Sequence, residues 1–207
     1  MENKKEEIHA DHSYQDCIDI SHMVCTMIII SQYSLSVNLL GEYFLESEEN
    51  HITCPCCNGE LHMRDHRYRI WKREGGEKRF IRIRRLQCTQ CKRIHCELPD
   101  FLVPYKHYET EVIEGVLDGV ITEDDPDSED ENGAQRPCDT TMKRWRQWLQ
   151  RNLNQIEGFL RSVGIIILKL RFTNTSESLF HTIRDTYDDW LGIVCRIIYN
   201  SAGAMLV

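Results

Sequence analysis

Cys54-Pro55-Cys56-Cys57-Asn58-Gly59 opens, and Cys88-Thr89-Gln90-Cys91-Lys92-Arg93 closes, the segment on which the rest of the chain is hung. Each stretch holds a C-x-x-C pair, Cys54 with Cys57 and Cys88 with Cys91. Such a pair sets two thiolates on one side of a tight turn, and two turns facing each other make a tetrahedral site of four sulfurs. Pro55 and Gly59 suit the first turn, since Pro fixes φ and Gly tolerates a positive φ. Between the pairs, His62 to Lys72 and Lys78 to Leu86 are rich in Arg, Ile, Tyr, Trp and Phe, with Gly75-Gly76 as a turn. In the second arm Phe80, Arg82, Arg84 and Leu86 alternate with Ile81, Ile83 and Arg85. Turn, hairpin, turn is the layout of a zinc ribbon, with zinc as the expected cofactor and Cys54, Cys57, Cys88 and Cys91 as its ligands.

Other assignments of these cysteines are weaker. Free buried cysteines are common in cores, but four at this spacing are not. A tetrahedron of thiolates also accepts iron; an electron carrier, however, has no use for the basic hairpin between the pairs. Cys56 would have to replace Cys54 or Cys57 from an adjacent position, where side chains diverge. His95 and Cys96 follow the second pair as weaker ligand candidates; they are expected instead to begin a third strand, Ile94 to Leu98.

The net charge of -8 conceals a polarity along the chain. Residues 1–53 carry 2 Lys/Arg against 10 Asp/Glu, and residues 54–96 carry 12 against 4. Residues 97–139 reverse the sign with 2 against 14, and residues 140–207 carry 9 against 5. Local charge, not the total, sets the field that a phosphate backbone meets. Ten cysteines without a secretory leader argue against a secreted disulfide scaffold. The apolar run Met23 to Ile30 is too short to span a bilayer, so no membrane association is expected and the location is read as cytoplasmic.

In order, residues 1–26 read as a disordered acidic extension, and residues 27–53 as a short strand (Met27 to Ser31) and a helix leading in. The helix is placed at Ser34 to Phe44 by the spacing of Leu35, Leu39, Leu40 and Phe44. Residues 54–104 form the ribbon, ending in the connectors Leu98-Pro99-Asp100 and Val103-Pro104-Tyr105. Residues 105–207 read as a helical domain with an acidic loop at 123–132, where Glu123 to Glu131 hold seven carboxylates without the spacing of a calcium loop. Its first helix runs from Tyr108 to Val120 with Val112, Val116 and Val120 in a stripe. Ile165 to Leu168 is an apolar run, and further helices are expected at Ser176 to Asp188 and Trp190 to Asn200. The fold class is α+β, a small zinc-ribbon hairpin domain followed by a helix-turn-helix-like domain.

The long helix from Met142 to Val163, capped by Asp139 or Thr140, is the second functional candidate. Trp145, Trp148, Leu149, Leu153, Ile156, Phe159 and Leu160 share one face. Lys143, Arg146, Gln147, Gln150, Arg151 and Asn154 share the other, with Arg144 at the boundary and no acid between Thr140 and Gln155. That face suits a helix laid against nucleic acid, although an ordinary core helix also carries a solvated basic face. The candidate DNA contacts are Arg67, Arg69, Lys72, Arg79, Arg82 and Arg84 of the hairpin, touching phosphates. On the helix they are Lys143, Arg144, Arg146, Gln147, Gln150 and Arg151, reaching base edges.

The run from Leu86 to His95, followed by Glu97-Leu98-Pro99-Asp100 and Val103-Pro104-Tyr105, resembles a bacterial family of zinc-ribbon proteins encoded near mobile elements. The Cys138-Asp139-Thr140-Thr141 start of the Trp-rich helix belongs to the same resemblance, which covers roughly residues 27–200. More distantly the layout is similar to the N-terminal zinc-ribbon and helix-turn-helix region of insertion-sequence transposases. The resemblance implies metal binding and binding to double-stranded DNA. Two departures are Cys56 inside the first turn, and the acidic linker in place of a short middle helix. The expected function is thus a zinc-dependent DNA-binding protein, regulatory or accessory to a mobile element; the alternative is a protein-interaction module. No enzyme is expected, because four cysteines leave zinc no open position.

Overall fold

The computed structural model describes residues 26–49, 52–73, 77–124, 137–164 and 178–202. Its trunk is a long hairpin, β4 (Leu61–Lys72) and β5 (Lys78–Cys88), paired antiparallel from Leu61 opposite Cys88 to Lys72 opposite Lys78. A bulge at Met63/Asp65 lets one arm carry an extra residue. The other side of β5 is shared. Its first part pairs parallel with β3 (Glu42–Ser47), and its last part pairs antiparallel with β6 (Ile94–Pro99). β1 (Thr26–Ile30) then adds parallel to β6, and β2 (Tyr33–Val37) adds antiparallel to β3. Among the described residues the result is one six-stranded sheet.

Met27 to Ile30 of β1 read as an unbroken apolar run because the strand is buried throughout. The outer edge of β1 is blunted by Asn200, whose side-chain amide both accepts from the Ile29 N–H and donates to the Ile29 carbonyl, each at 2.8 Å. The described residues also form four α-helices, α1 (Thr110–Leu117), α2 (Asp139–Phe159), α3 (Leu179–Thr186) and α4 (Trp190–Ala202). α2 runs on through a π-helical turn, Leu160–Gly164. α4 packs on β1, and α1 packs on α2 and α4. One hydrophobic core runs from Met27 in β1 through Ile81 and Ile83 in β5 to Trp145 in α2 and Tyr199 in α4. Each such buried side chain contributes about 1.5–3 kcal/mol. The class is α+β, and the sheet and the helices share that core.

Three expectations need correction. Ser34 to Phe44 is not a helix but the β2–β3 hairpin. Asn38 is the reason: its side-chain Oδ1 accepts from Leu40 N–H at 2.9 Å and Glu42 N–H at 3.0 Å, and Gly41 takes φ +76°. Leu39 and Leu40, which suggest a helical stripe, stand exposed at the turn. The first helix stops at Leu117, because Gly119 turns the chain at φ +76° and leaves Val120 exposed. The N-cap of α2 is Cys138, with Asp139 already helical. The acidic extension up to Cys25, the Gly75-Gly76 turn, the acidic stretch from Asp125 onward and the run Ile165 to Leu168 lie outside the described residues.

Candidate metal centre

Both cysteine turns are built the same way. In the first, the Cys57 and Asn58 N–H groups donate to the Cys54 carbonyl at 3.3 and 2.8 Å, and the Cys54 N–H donates to Gly59 O at 2.9 Å. In the second, the Cys88 N–H donates to Arg93 O at 3.0 Å, and the Gln90 N–H points at Cys88 Sγ at 3.4 Å. The residue four positions after the first cysteine of each turn is left-handed, Asn58 at φ 57° and Lys92 at φ 61°. Positive φ thus falls on Asn58, and the tolerance of Gly59 for it is not used. Gly59 serves another purpose: a Cβ there would lie 2.9 Å from Cys88 Sγ and 3.0 Å from the Gln90 side chain. Its missing side chain lets the two turns meet. Thr89 then ties them by donating from N–H (3.0 Å) and Oγ1 (3.2 Å) to Glu60 O.

The four sulfurs of Cys54, Cys57, Cys88 and Cys91 all lie within 4.8 Å of one another. Cys54 Sγ is 3.6 Å from Cys91 Sγ, and Cys57 Sγ is 3.5 Å from Cys88 Sγ. Zinc–sulfur bonds of about 2.3 Å in a tetrahedron set sulfurs about 3.8 Å apart, so these donors fit a metal ion with little movement. Burial works against ionisation of Cys88, yet the N–H groups of Cys91 and Gln90 and the Cys57 thiol together lower it to about 6. Burial raises Cys54 and Cys91.

Around this set lies a shell that the sequence does not reveal. Arg93 Nη1 donates to Cys56 Sγ at 3.1 Å, which gives the fifth cysteine of the segment its own cation. His95, wholly buried, places Nε2 3.3 Å from Cys54 Sγ and Nδ1 2.5 Å from Thr26 Oγ1. Burial, followed by the Arg93 charge, lowers His95 to about 4, so it is neutral at physiological pH. Cys54, Cys56 and His95 form a second close group of possible metal donors.

The candidate DNA contacts divide sharply. On the hairpin Arg67 is exposed, but Arg69 is turned inward, donating to Val103 O at 2.7 Å and to Lys106 O, and burial lowers it to about 10. Arg84 makes a two-pronged pair with the buried carboxylate of Glu97 at 2.5 and 2.7 Å. Arg79 bonds Glu77 and Tyr43 Oη, each at 2.8 Å, Arg82 donates to His66 Nδ1 at 2.9 Å, and Lys72 sits over the Tyr108 ring. On α2, Lys143, Arg144, Gln147, Gln150, Arg151 and Asn154 are exposed. Arg146 is engaged instead, with Nη1 2.5 Å from Glu123 Oε1 and Nε donating to Val116 O at 3.3 Å. Trp145 and Trp148 face the core, as expected. Among the described residues no helix is long and apolar enough to cross a membrane.

Residues 54–145 match the domain of unknown function DUF6431, which therefore spans both cysteine turns, the hairpin, α1 and the first turns of α2. No curated protein and no solved structure matches the chain.

Proposed function

We propose that this is a non-enzymatic, zinc-dependent protein that binds double-stranded DNA through the outer face of α2. The zinc ribbon acts as the rigid mount, and the α1–α2 pair takes the place of a helix-turn-helix whose turn is replaced by the acidic linker. The observation that carries the reading is the α2 surface. Six exposed side chains, Lys143, Arg144, Gln147, Gln150, Arg151 and Asn154, share one face with no carboxylate between Thr140 and Gln155. Arg and Lys pair with guanine edges, and Gln and Asn with adenine. The hairpin contributes less than its composition suggests, since Arg69, Arg79 and Arg84 are already satisfied within the fold. Arg67 and Lys78 remain exposed for phosphates, whereas Arg73 pairs with Glu109 at 3.4 Å. Zinc identity is supported by the four-thiolate donor set, which closes its coordination and leaves no position for catalysis. A regulatory or accessory role beside a mobile element rests on the family resemblance of the motifs, and the cytoplasmic location on the cysteine-rich sequence without a secretory leader and its short apolar run.

The test is fluorescence anisotropy of zinc-loaded protein against duplex DNA at several salt concentrations. Binding should weaken steeply with salt. The triple substitution Lys143→Ala, Arg144→Ala, Arg151→Ala should lower the salt slope by about one for each phosphate it ceases to neutralise. Folded, zinc-loaded protein without salt-dependent binding would favour the second reading, a protein-interaction module. One observation speaks for that alternative. The β2–β3 hairpin exposes Val37, Leu39 and Leu40, and β2 is a sheet edge without a single charged residue between Tyr33 and Val37.

A further inference from the structure

We propose that Thr26 and His95 form a positioning chain behind Cys54 that raises the hold of the site on its metal; the inference rests on the reading of Cys54, Cys57, Cys88 and Cys91 as zinc ligands. The direction of the hydrogen bonds follows from proton counting. A metal-bound thiolate has no proton and only accepts. The contact of 3.3 Å between His95 Nε2 and Cys54 Sγ therefore requires the proton on Nε2. Nδ1 is then bare and accepts from the Thr26 hydroxyl, 2.5 Å away. Metal binding selects one tautomer of His95 and one rotamer of Thr26. An N–H directed at a thiolate spreads its charge and fixes the direction of its lone pairs, as outer-shell partners do at metal sites generally.

The sheet places the two residues together. His95 is the second residue of β6, and Thr26 stands directly beside it at the start of the parallel β1. Both are buried, so neither polar side chain has water to turn to, and each answers the other's hydrogen-bonding need. Thr26 lies outside the matched domain, so the metal centre draws on the N-terminal strand as well. A second metal on Cys54, Cys56 and His95 is disfavoured by Arg93, whose guanidinium bonds Cys56 at 3.1 Å and would repel a cation there.

Four proteins test the chain: wild type, His95→Leu, His95→Gln and Thr26→Val. Zinc affinity is measured by competition with a chromophoric chelator, and cobalt(II) replaces zinc for absorption spectra. Circular dichroism at saturating zinc checks folding. His95→Leu should lose about 10–100-fold in affinity, and Thr26→Val should lose less. His95→Gln, whose amide N–H can replace the imidazole donor but is a poor ligand, should stay near wild type. All four should show a four-thiolate cobalt spectrum, with the sulfur-to-cobalt band of His95→Leu moved to lower energy. His95→Gln losing as much as His95→Leu, a spectrum of three sulfurs and one nitrogen, or two metals per chain would make His95 a ligand and overturn the proposal. Unchanged affinity in His95→Leu would overturn it too. If wild type binds no metal at all, the zinc reading itself falls, a result distinct from all of these.

Discussion

A methyl group added at Gly59 would sit 2.9 Å from Cys88 Sγ, an atom that cannot move aside once it holds a metal. Gly59→Ala is therefore expected to cost about 1–3 kcal/mol of overpacking strain, read as weaker zinc retention in chelator competition. Unchanged affinity would show that the two turns have slack. Glu114 is the second instructive residue. Burial raises its carboxyl to about 7, partly offset by the Leu191 N–H, which bonds it at 2.6 Å at the start of α4. The folded protein therefore holds this proton more tightly than the unfolded chain. Its contribution to stability is complete below the ordinary carboxyl range, near 4.5, and is lost as pH rises through about 7. Glu114→Gln keeps an oxygen for Leu191 and removes the titration. Denaturant unfolding should show wild type losing up to about 3 kcal/mol between pH 5 and 8 from this group, and the variant losing less. Parallel pH profiles would contradict the assignment.

At the scale of elements, the basic hairpin separates what a sequence tells from what it hides. Its strands, its cysteine turns and the helices around it follow from local spacing, and are legible for that reason. The partners that tie its inward-turned arginines, and Arg146 of α2, into the fold are not, because they come from distant segments, whereas Arg79, Arg82 and Arg85 pair with Glu77, His66 and Asp65 of the hairpin itself. Arg84 meets Glu97 of β6, Arg69 reaches the carbonyls of Val103 and Lys106, and Arg146 of α2 reaches Glu123. The Thr26–His95 contact joins residues 69 positions apart and exists only because β1 lies parallel to β6. The β2–β3 hairpin passes for a helix because four leucine and phenylalanine positions imitate a helical period, while Asn38 and Gly41 hold the turn chemistry. Structural arginines and those proposed to face DNA can be told apart by substitution. Arg84→Ala leaves the buried Glu97 carboxylate unpaired and should cost about 3–5 kcal/mol of stability in a denaturant titration. Arg67→Ala, at an exposed position, should leave stability within about 0.5 kcal/mol. Equal effects from the two would refute the division.

Over the whole molecule, the acidic segments 1–53 and 97–139 flank a basic one, yet the fold uses much of that basic charge internally. The four-cysteine cluster sits where β5 ends and β6 begins, and β6 in turn carries β1 and, through it, α4. Loss of the metal should therefore loosen the junction on which sheet and helices share their core, since metal-binding free energy at such sites is folding free energy. The most direct measurement is native mass spectrometry of the purified protein with Cys88→Ser and Cys56→Ser beside it. The expected result is one zinc per chain in wild type and in Cys56→Ser, and none in Cys88→Ser. No zinc in wild type, or equal loss from both substitutions, would contradict the assignment of Cys54, Cys57, Cys88 and Cys91 as the metal site.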